Sequence, residues 1–233
     1  MDQAFEALKT YDWGADLKAL TPIDEAVIAT RGNAEARKEL ETRLAEVLKT
    51  PVPRDAKDFV CRKLMVVGTA ASVPALAALL PAPENSHMAR YALERIAAPE
   101  AAQALREALP KLSGALKVGV IGSLGVRQDA ASVPLLAALL GDADAVVARA
   151  AALALGDIRT PEAARVLAST KPVQDGAKPA AIDASLACAE KLLADGKKAE
   201  ALALYKGLTG ENQPKHVRLA ATRGMLACAG KKD

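Results

Sequence analysis

Ala70-Ala71-Ser72-Val73-Pro74-Ala75-Leu76-Ala77-Ala78-Leu79-Leu80 returns 60 residues later as Ala130-Ala131-Ser132-Val133-Pro134-Leu135-Leu136-Ala137-Ala138-Leu139-Leu140, with one substitution. Near-identity at a fixed spacing implies that both copies fill the same structural slot in a repeated architecture. A second echo lies between them: Arg95-Ile96-Ala97-Ala98-Pro99-Glu100-Ala101-Ala102-Gln103-Ala104-Leu105 returns after 62 residues as Asp157-Ile158-Arg159-Thr160-Pro161-Glu162-Ala163-Ala164-Arg165-Val166-Leu167. The repeating unit is therefore half that spacing, near 30 residues. Apolar residues recur at intervals of three and four, at Val73, Leu76, Leu79 and Leu80 and again at Val147, Ala150, Ala151, Ala154 and Leu155. That is the period of a helix with one buried face. Turn formers separate the helices at Pro81-Ala82-Pro83-Glu84-Asn85, at Gly141-Asp142-Ala143-Asp144, and at Gly125 with Asp129. The expected fold is all-α: an α-solenoid of stacked antiparallel helix pairs. The two Ala-Ala-Ser-Val-Pro copies should occupy equivalent first helices, two units apart, and Ala151 and Ala154 should be buried where neighbouring helices approach closely.

Composition agrees with this reading. The 233 residues include 53 alanines against 2 Phe, 3 Tyr and 1 Trp, which favours close helix packing over an aromatic-rich β-sandwich. With 51% apolar and 25% charged residues the chain is neither disordered nor collagen-like. A net charge of +3 is too small to imply nucleic acid or a membrane surface as partner. The excess is local: 20 basic against 21 acidic residues up to position 168, then 11 against 7. Cys61, Cys188 and Cys228 are widely separated in apolar patterns, so they read as buried thiols and not as a disulfide framework or zinc site. No apolar run approaches the roughly 20 residues of a membrane span, and no basic segment followed by an apolar core opens the chain. The localisation stays open: cytoplasmic by default, periplasmic or secreted if an export signal has been removed.

The pattern resembles HEAT repeats, most closely the bacterial variety, whose first helix opens on Val-Pro and whose second is rich in Ala and Leu. Pro74 and Pro134 match the family's first-helix proline, Asp142 the aspartate of the inter-helix turn, and Arg149 falls one position from the family's arginine. The unit beginning near Ala70 departs from it, with Ala82 in the turn and arginines at Arg90 and Arg95, so an Asp and Arg ladder is incomplete. The resemblance covers residues 52 to 168. Residues 1–50 lack a repeat copy, carry helical patterns at Leu17–Thr30 and Ala34–Leu48, the latter capped by Asn33, and read as an N-terminal helical cap. Residues 51–168 form the HEAT-like repeats and 169–180 a polar loop or joint. Residues 181–233 continue the solenoid. There Cys188–Tyr205 resembles a tetratricopeptide hairpin turned at Gly196 with Ala201, Leu204 and Tyr205 packing back, and a HEAT-like second helix follows at His216–Leu226.

Catalytic patterns are missing. His87 and His216 lie on different units, without Cys or carboxylate neighbours at metal-ligand spacing. Gly119, Gly122 and Gly125 recur inside a helical stretch, unlike a phosphate-cradling turn, and fit close helix packing or a C-cap. Ser123 does not sit in a nucleophile-elbow pattern. The expectation is a non-enzymatic protein–protein interaction module with no cofactor and no metal. In HEAT arrays the second helices line the concave face. Those of this chain, Ala56–Val67, Ser86–Ile96, Ala115–Leu124, Val146–Ile158, Ala181–Leu193 and Pro214–Ala227, carry 11 basic residues against 5 acidic ones. Arg62, Arg90, Arg149 and Arg218, from four units, are the candidate partner-binding residues, and an acidic protein or peptide is the partner they would suit, because a guanidinium binds carboxylates bidentately.

Two alternatives are weaker. Nucleic acid binding, as in HEAT-like DNA glycosylases, needs stacking aromatics, and only Phe59 and Tyr91 fall on these helices. A role in handling a prosthetic group, as in phycobilin-attaching HEAT relatives, needs a nucleophile or ligand cluster that the sequence lacks. Phe5, Tyr11 and Trp13 crowd the first thirteen residues. They read more readily as covers for the terminal repeat than as interface anchors.

Overall fold

A computed structural model describes residues 1–170 and 174–230, and among these the regular structure is helical throughout, without strands. The chain forms two compact units, Met1–Ser123 and a second that begins at Leu124.

In the first unit α1 (Asp2–Leu8) is followed by a 3-10 turn at Leu17–Leu20, then by α2 (Thr21–Ala29), α3 (Ala34–Leu48), α4 (Arg54–Val67), α5 (Val73–Ala77), α6 (Ser86–Arg95) and α7 (Pro99–Ala108). Helix α8 (Gly114–Val126) begins here and ends in the second unit. The second unit adds α9 (Val133–Leu139), α10 (Ala145–Ile158), α11 (Pro161–Ser169), α12 (Lys178–Ala194), α13 (Lys198–Gly207) and α14 (Lys215–Cys228). Helices pack on the next and the next but one: α3 on α4, α4 on α6 and α5 on α7 in the first unit; α10 on α11 and α12, and α11 on α13, in the second. Within each unit, helix pairs stacked in this way are of the α-solenoid class.

The duplicated segments fold alike, as their sequence required. Each begins as a 3-10 turn, Ala70–Ser72 or Ala130–Ser132, and passes directly into an α-helix at Val73 or Val133, with proline in the first helical turn. Proline suits that place because its missing N–H has no helical acceptor there. The serine of each copy is fully buried, and its hydroxyl donates to the carbonyl three residues back, Thr69 O at 3.1 Å and Asp129 O at 2.7 Å. Val73, Leu76 and Leu80, and likewise Val133, Leu136 and Leu140, are buried.

Small residues set how closely the helices approach. Ala151 and Ala154 of α10 are 0% and 1% exposed. A Cβ added to Gly156 would stand 2.7 Å from the Cβ of Ala184 on α12, so these two helices meet backbone to backbone. Asn33 caps α3 by accepting from Ala36 N at 3.0 Å, as its position before the helical pattern implied. Gly196, at φ +77, turns α12 into α13, and Ala201, Leu204 and Tyr205 are buried. The Tyr205 ring fills the space that a side chain at Gly224 of α14 would need. Of the polar joint expected at 169–180, Lys171, Pro172 and Val173 lie outside the described residues; Asp175–Ala177 forms a 3-10 turn leading into α12.

One charged group inside the first unit has no precedent in the repeat pattern. Glu41 of α3 is 2% exposed, and its carboxylate accepts from Thr69 N at 2.6 Å, Thr69 Oγ1 at 2.9 Å and Ser72 N at 3.1 Å. It thereby braces the 3-10 turn at Ala70–Ser72: Thr69 N is held by the carboxylate, Ala71 N is capped by Thr69 Oγ1 at 3.2 Å, and Ser72 N is shared between the carboxylate and Thr69 O at 3.3 Å.

Candidate partner-binding surface

Past residue 50, the large apolar side chains left exposed are Val66, Tyr91, Val126, Leu135, Val146, Leu153, Leu219 and Leu226. All but Leu135 lie on second helices. They recur at helical spacing, as a stripe, on the sides of these helices turned away from their packed partners; α14, which packs chiefly on α12 and α13, leaves a broader side exposed than the others. In the first unit the stripe is Arg62 and Val66 on α4, and His87, Tyr91 and Arg95 on α6, each step being four residues. The His87 and Tyr91 rings meet in a tilted contact, 4.4 Å between centroids and 51° between planes. In the second unit it is Val146, Arg149 and Leu153 on α10, and Leu219, Arg223 and Leu226 on α14. Exposed apolar residues alternate with guanidinium groups, a composition typical of interface anchors.

The four arginines expected to bind a partner divide two and two between the units, and they do not share one environment. Arg62 is exposed but paired within its own helix to Asp58 at 2.7 Å. Arg90 turns inward: Nη1 donates to Gly119 O at 3.0 Å and Ser123 Oγ at 3.2 Å, and Nη2 lies 3.3 Å from His87 Nδ1. Burial pushes its acidity constant below the usual arginine range, with neighbouring Glu94 opposing the shift. Ser123 Oγ in turn donates to Glu94 Oε1 at 2.7 Å. Gly119 permits this, since a Cβ there would come within 2.6 Å of the guanidinium carbon. Arg90 therefore ties α6 to α8 within the first unit. Arg149 is exposed on the α10 stripe and Arg218 is half-buried on α14. The exposed Arg95 and Arg223 were not singled out by sequence, although they stand at stripe positions.

The N-terminal aromatics separate as well. Phe5 lies beneath the Arg43 guanidinium at 4.1 Å and Tyr11 beside Phe59 at 6.3 Å, both half-buried as covering rings should be. Trp13 does not cover the terminal repeat: it is 91% exposed. The loop between Leu8 and Leu17 carries its ring outward, so the covering role expected of all three holds for two.

Cys61, Cys188 and Cys228 are buried. Burial pushes the Cys61 and Cys188 thiols up to about 12; Asp58 adds to the rise at Cys61, and Arg159 opposes it at Cys188. Both should resist iodoacetamide in the native protein at neutral pH and react fully in urea, because the thiolate is the nucleophile. Rapid native labelling of either, read by peptide mass spectrometry, would contradict their placement. Stability should also fall between about pH 9 and pH 12, where the unfolded thiols ionise and the folded ones do not. Among the described residues no group of three His, Cys, Asp or Glu converges as a metal site.

Residues 111–186 match the family model of HEAT repeats. Among solved structures, a crystal structure described as that of an engineered protein is similar at a TM-score of 0.43 and 20% identity, covering 90% of this chain and 97% of its own. No curated protein sequence matches the chain.

Proposed function

We propose that the protein is a non-enzymatic interaction module that binds a protein or peptide, of acidic character, through the apolar and basic stripes of its second helices. The observation that carries this reading is the confinement of exposed large apolar residues to those helices, seven of eight beyond residue 50. Solvent exposure of single apolar residues is ordinary, but their recurrence at helical spacing on α4 and α6, and again on α10 and α14, though not on α12 between these last two, is what a docking face requires. The HEAT-repeat match at residues 111–186 supports it, since stacked helix pairs serve as extended binding surfaces. The α12–α13 hairpin, which resembles a tetratricopeptide unit, extends the same kind of surface toward the C-terminus. The acidic character rests on Arg149 and on Arg95 and Arg223 beside it in kind, while Arg62 and Arg90 contribute less than their sequence positions suggested, being engaged at home.

Affinity purification from the native cell with the intact chain and with the Val146→Asp/Leu153→Asp double variant tests the reading. Both should be equally helical, because the substituted side chains are exposed. A partner retained by the intact chain and lost by the variant is expected. Once that partner is in hand, Arg149→Glu should slow its association several-fold at low salt and flatten the salt dependence, since exposed charges act on encounter and are screened beyond roughly 10 Å. An identical set of retained proteins for both chains, with unchanged association rates, would remove the second-helix face from consideration.

A further inference from the structure

We infer that the basin beside Trp13 is a self-association site, in which Trp13 of one copy enters the basin of a second copy. Trp13 is the only tryptophan of the chain and projects from the loop before Leu17. It forms part of the wall of an open cavity of about 690 Å³, lined also by Tyr11, Phe59 and the exposed Leu17. That volume lies in the roughly 300–1,000 Å³ range of ligand-sized sites, enough for an indole and its flanking backbone. A protruding ring and a hollow thus occupy one patch. An isologous contact requires this, because the same patch serves both partners and must complement itself.

The charges of the wall point the same way. Three carboxylates and three cations line the basin, and they are paired: Arg54 with Asp55 at 3.0 Å, Arg62 with Asp58 at 2.7 Å, and Lys63 with Asp24. Lys63 Nζ also stands over the Phe59 ring at 4.3 Å. A net-neutral wall offers little to an acidic or a basic ligand. Because each charge is already balanced within the chain, the wall does not repel its own copy, as a patch of one sign would, and leaves the aromatic and aliphatic surface of the hollow to carry the contact. Arg62 belongs both to this wall and to the α4 stripe, but the α10 and α14 stripes share no residue with the basin, so the failure of one reading is distinguishable from the failure of the other.

Sedimentation velocity of the full chain over a concentration series, with tryptophan emission and acrylamide quenching read at each concentration, tests this. Because the chain has one tryptophan, its emission reports this patch alone. The expected result is a concentration-dependent passage from monomer to dimer, with emission moving to the blue and quenching falling in step. Trp13→Ala should weaken association at least about thirtyfold, the effect of removing a central hot-spot aromatic. Helicity should not change, nor the thermal midpoint at dilutions where the intact chain is monomeric, as the side chain is exposed in the single chain; at higher concentration only the intact chain should gain in midpoint. Leu17→Glu, which keeps the ring but places an unpaired charge in the hollow, should also leave a monomer. A chain that stays monomeric at every concentration, or a dimer that survives both substitutions, would overturn the proposal. So would a Trp13 that is protected only when a different protein is added to a monomeric chain.

Discussion

Glu41→Ala should cost about 2 to 3 kcal/mol, because the substitution removes a charged acceptor shared by three donors, one of them buried, and opens a small cavity. The carboxylate receives Thr69 N, Thr69 Oγ1 and Ser72 N, and it stands between α3 and the turn that starts α5. Thr69 lies at the surface, so water can replace part of what it loses; Ser72 is fully buried, and its N–H is left with only the longer bond to Thr69 O at 3.3 Å. Glu41→Gln separates the two contributions. It keeps the volume and one acceptor oxygen but weakens the charge-assisted bonds, so it should cost about half as much. Urea unfolding followed by circular dichroism gives both numbers, provided the slope with denaturant is unchanged. The role assigned to Glu41 is wrong if Glu41→Ala lies within about 0.5 kcal/mol of the intact chain, the range of ordinary surface changes. Amide exchange at Ala71 and Ser72 should accelerate in Glu41→Ala before exchange in α4 does, since the lost cap frees that turn first.

Glu41 also shows where the sequence stops being legible. The paired copies at Ala70 and Ala130, the turn prolines and the three-and-four spacing are local signals, and they located the second helices within a few residues: Ala56–Val67 against Arg54–Val67, and Ala181–Leu193 against Lys178–Ala194. Nothing local marks Glu41 as buried. It occupies an ordinary position in a charged helix, and its partners come 28 residues later, at Thr69, from a turn whose approach depends on tertiary packing.

Arg90 is the same case for the candidate site. Its inward course depends on Gly119, 29 residues on, lacking a side chain. The glycines at 119 and 125 were readable as marks of close approach, but not the residue each would admit. The pairing of Arg62 with Asp58 is the opposite case, an i,i+4 neighbour that sequence spacing alone suggests. Trp13 was unreadable for another reason: ring direction in a loop follows the path of the backbone, which has no period to reveal it.

Ala154→Leu should cost up to about 3 kcal/mol by overpacking, the largest loss expected in the second unit. Ala and Leu are both strong helix formers, so the loss would reflect packing and not propensity. Ala154 is 1% exposed, and its Cα lies 3.0 Å from where a Cβ on Gly125 would stand, so three further carbons have nowhere to go. Ala151→Leu, at 0% exposure on the same face, should behave alike, while Arg149→Leu on the opposite face should stay within about 0.5 kcal/mol. Equal denaturation midpoints for Ala154→Leu and Arg149→Leu would mean that α10 is rotated from the orientation described. The two faces are coupled by rigidity: the alanines that hold α10 close to its neighbours also fix the direction of Val146, Arg149 and Leu153. Ala154→Leu should therefore weaken partner binding even under conditions where the chain remains folded, whereas Arg149→Leu should change association without changing stability.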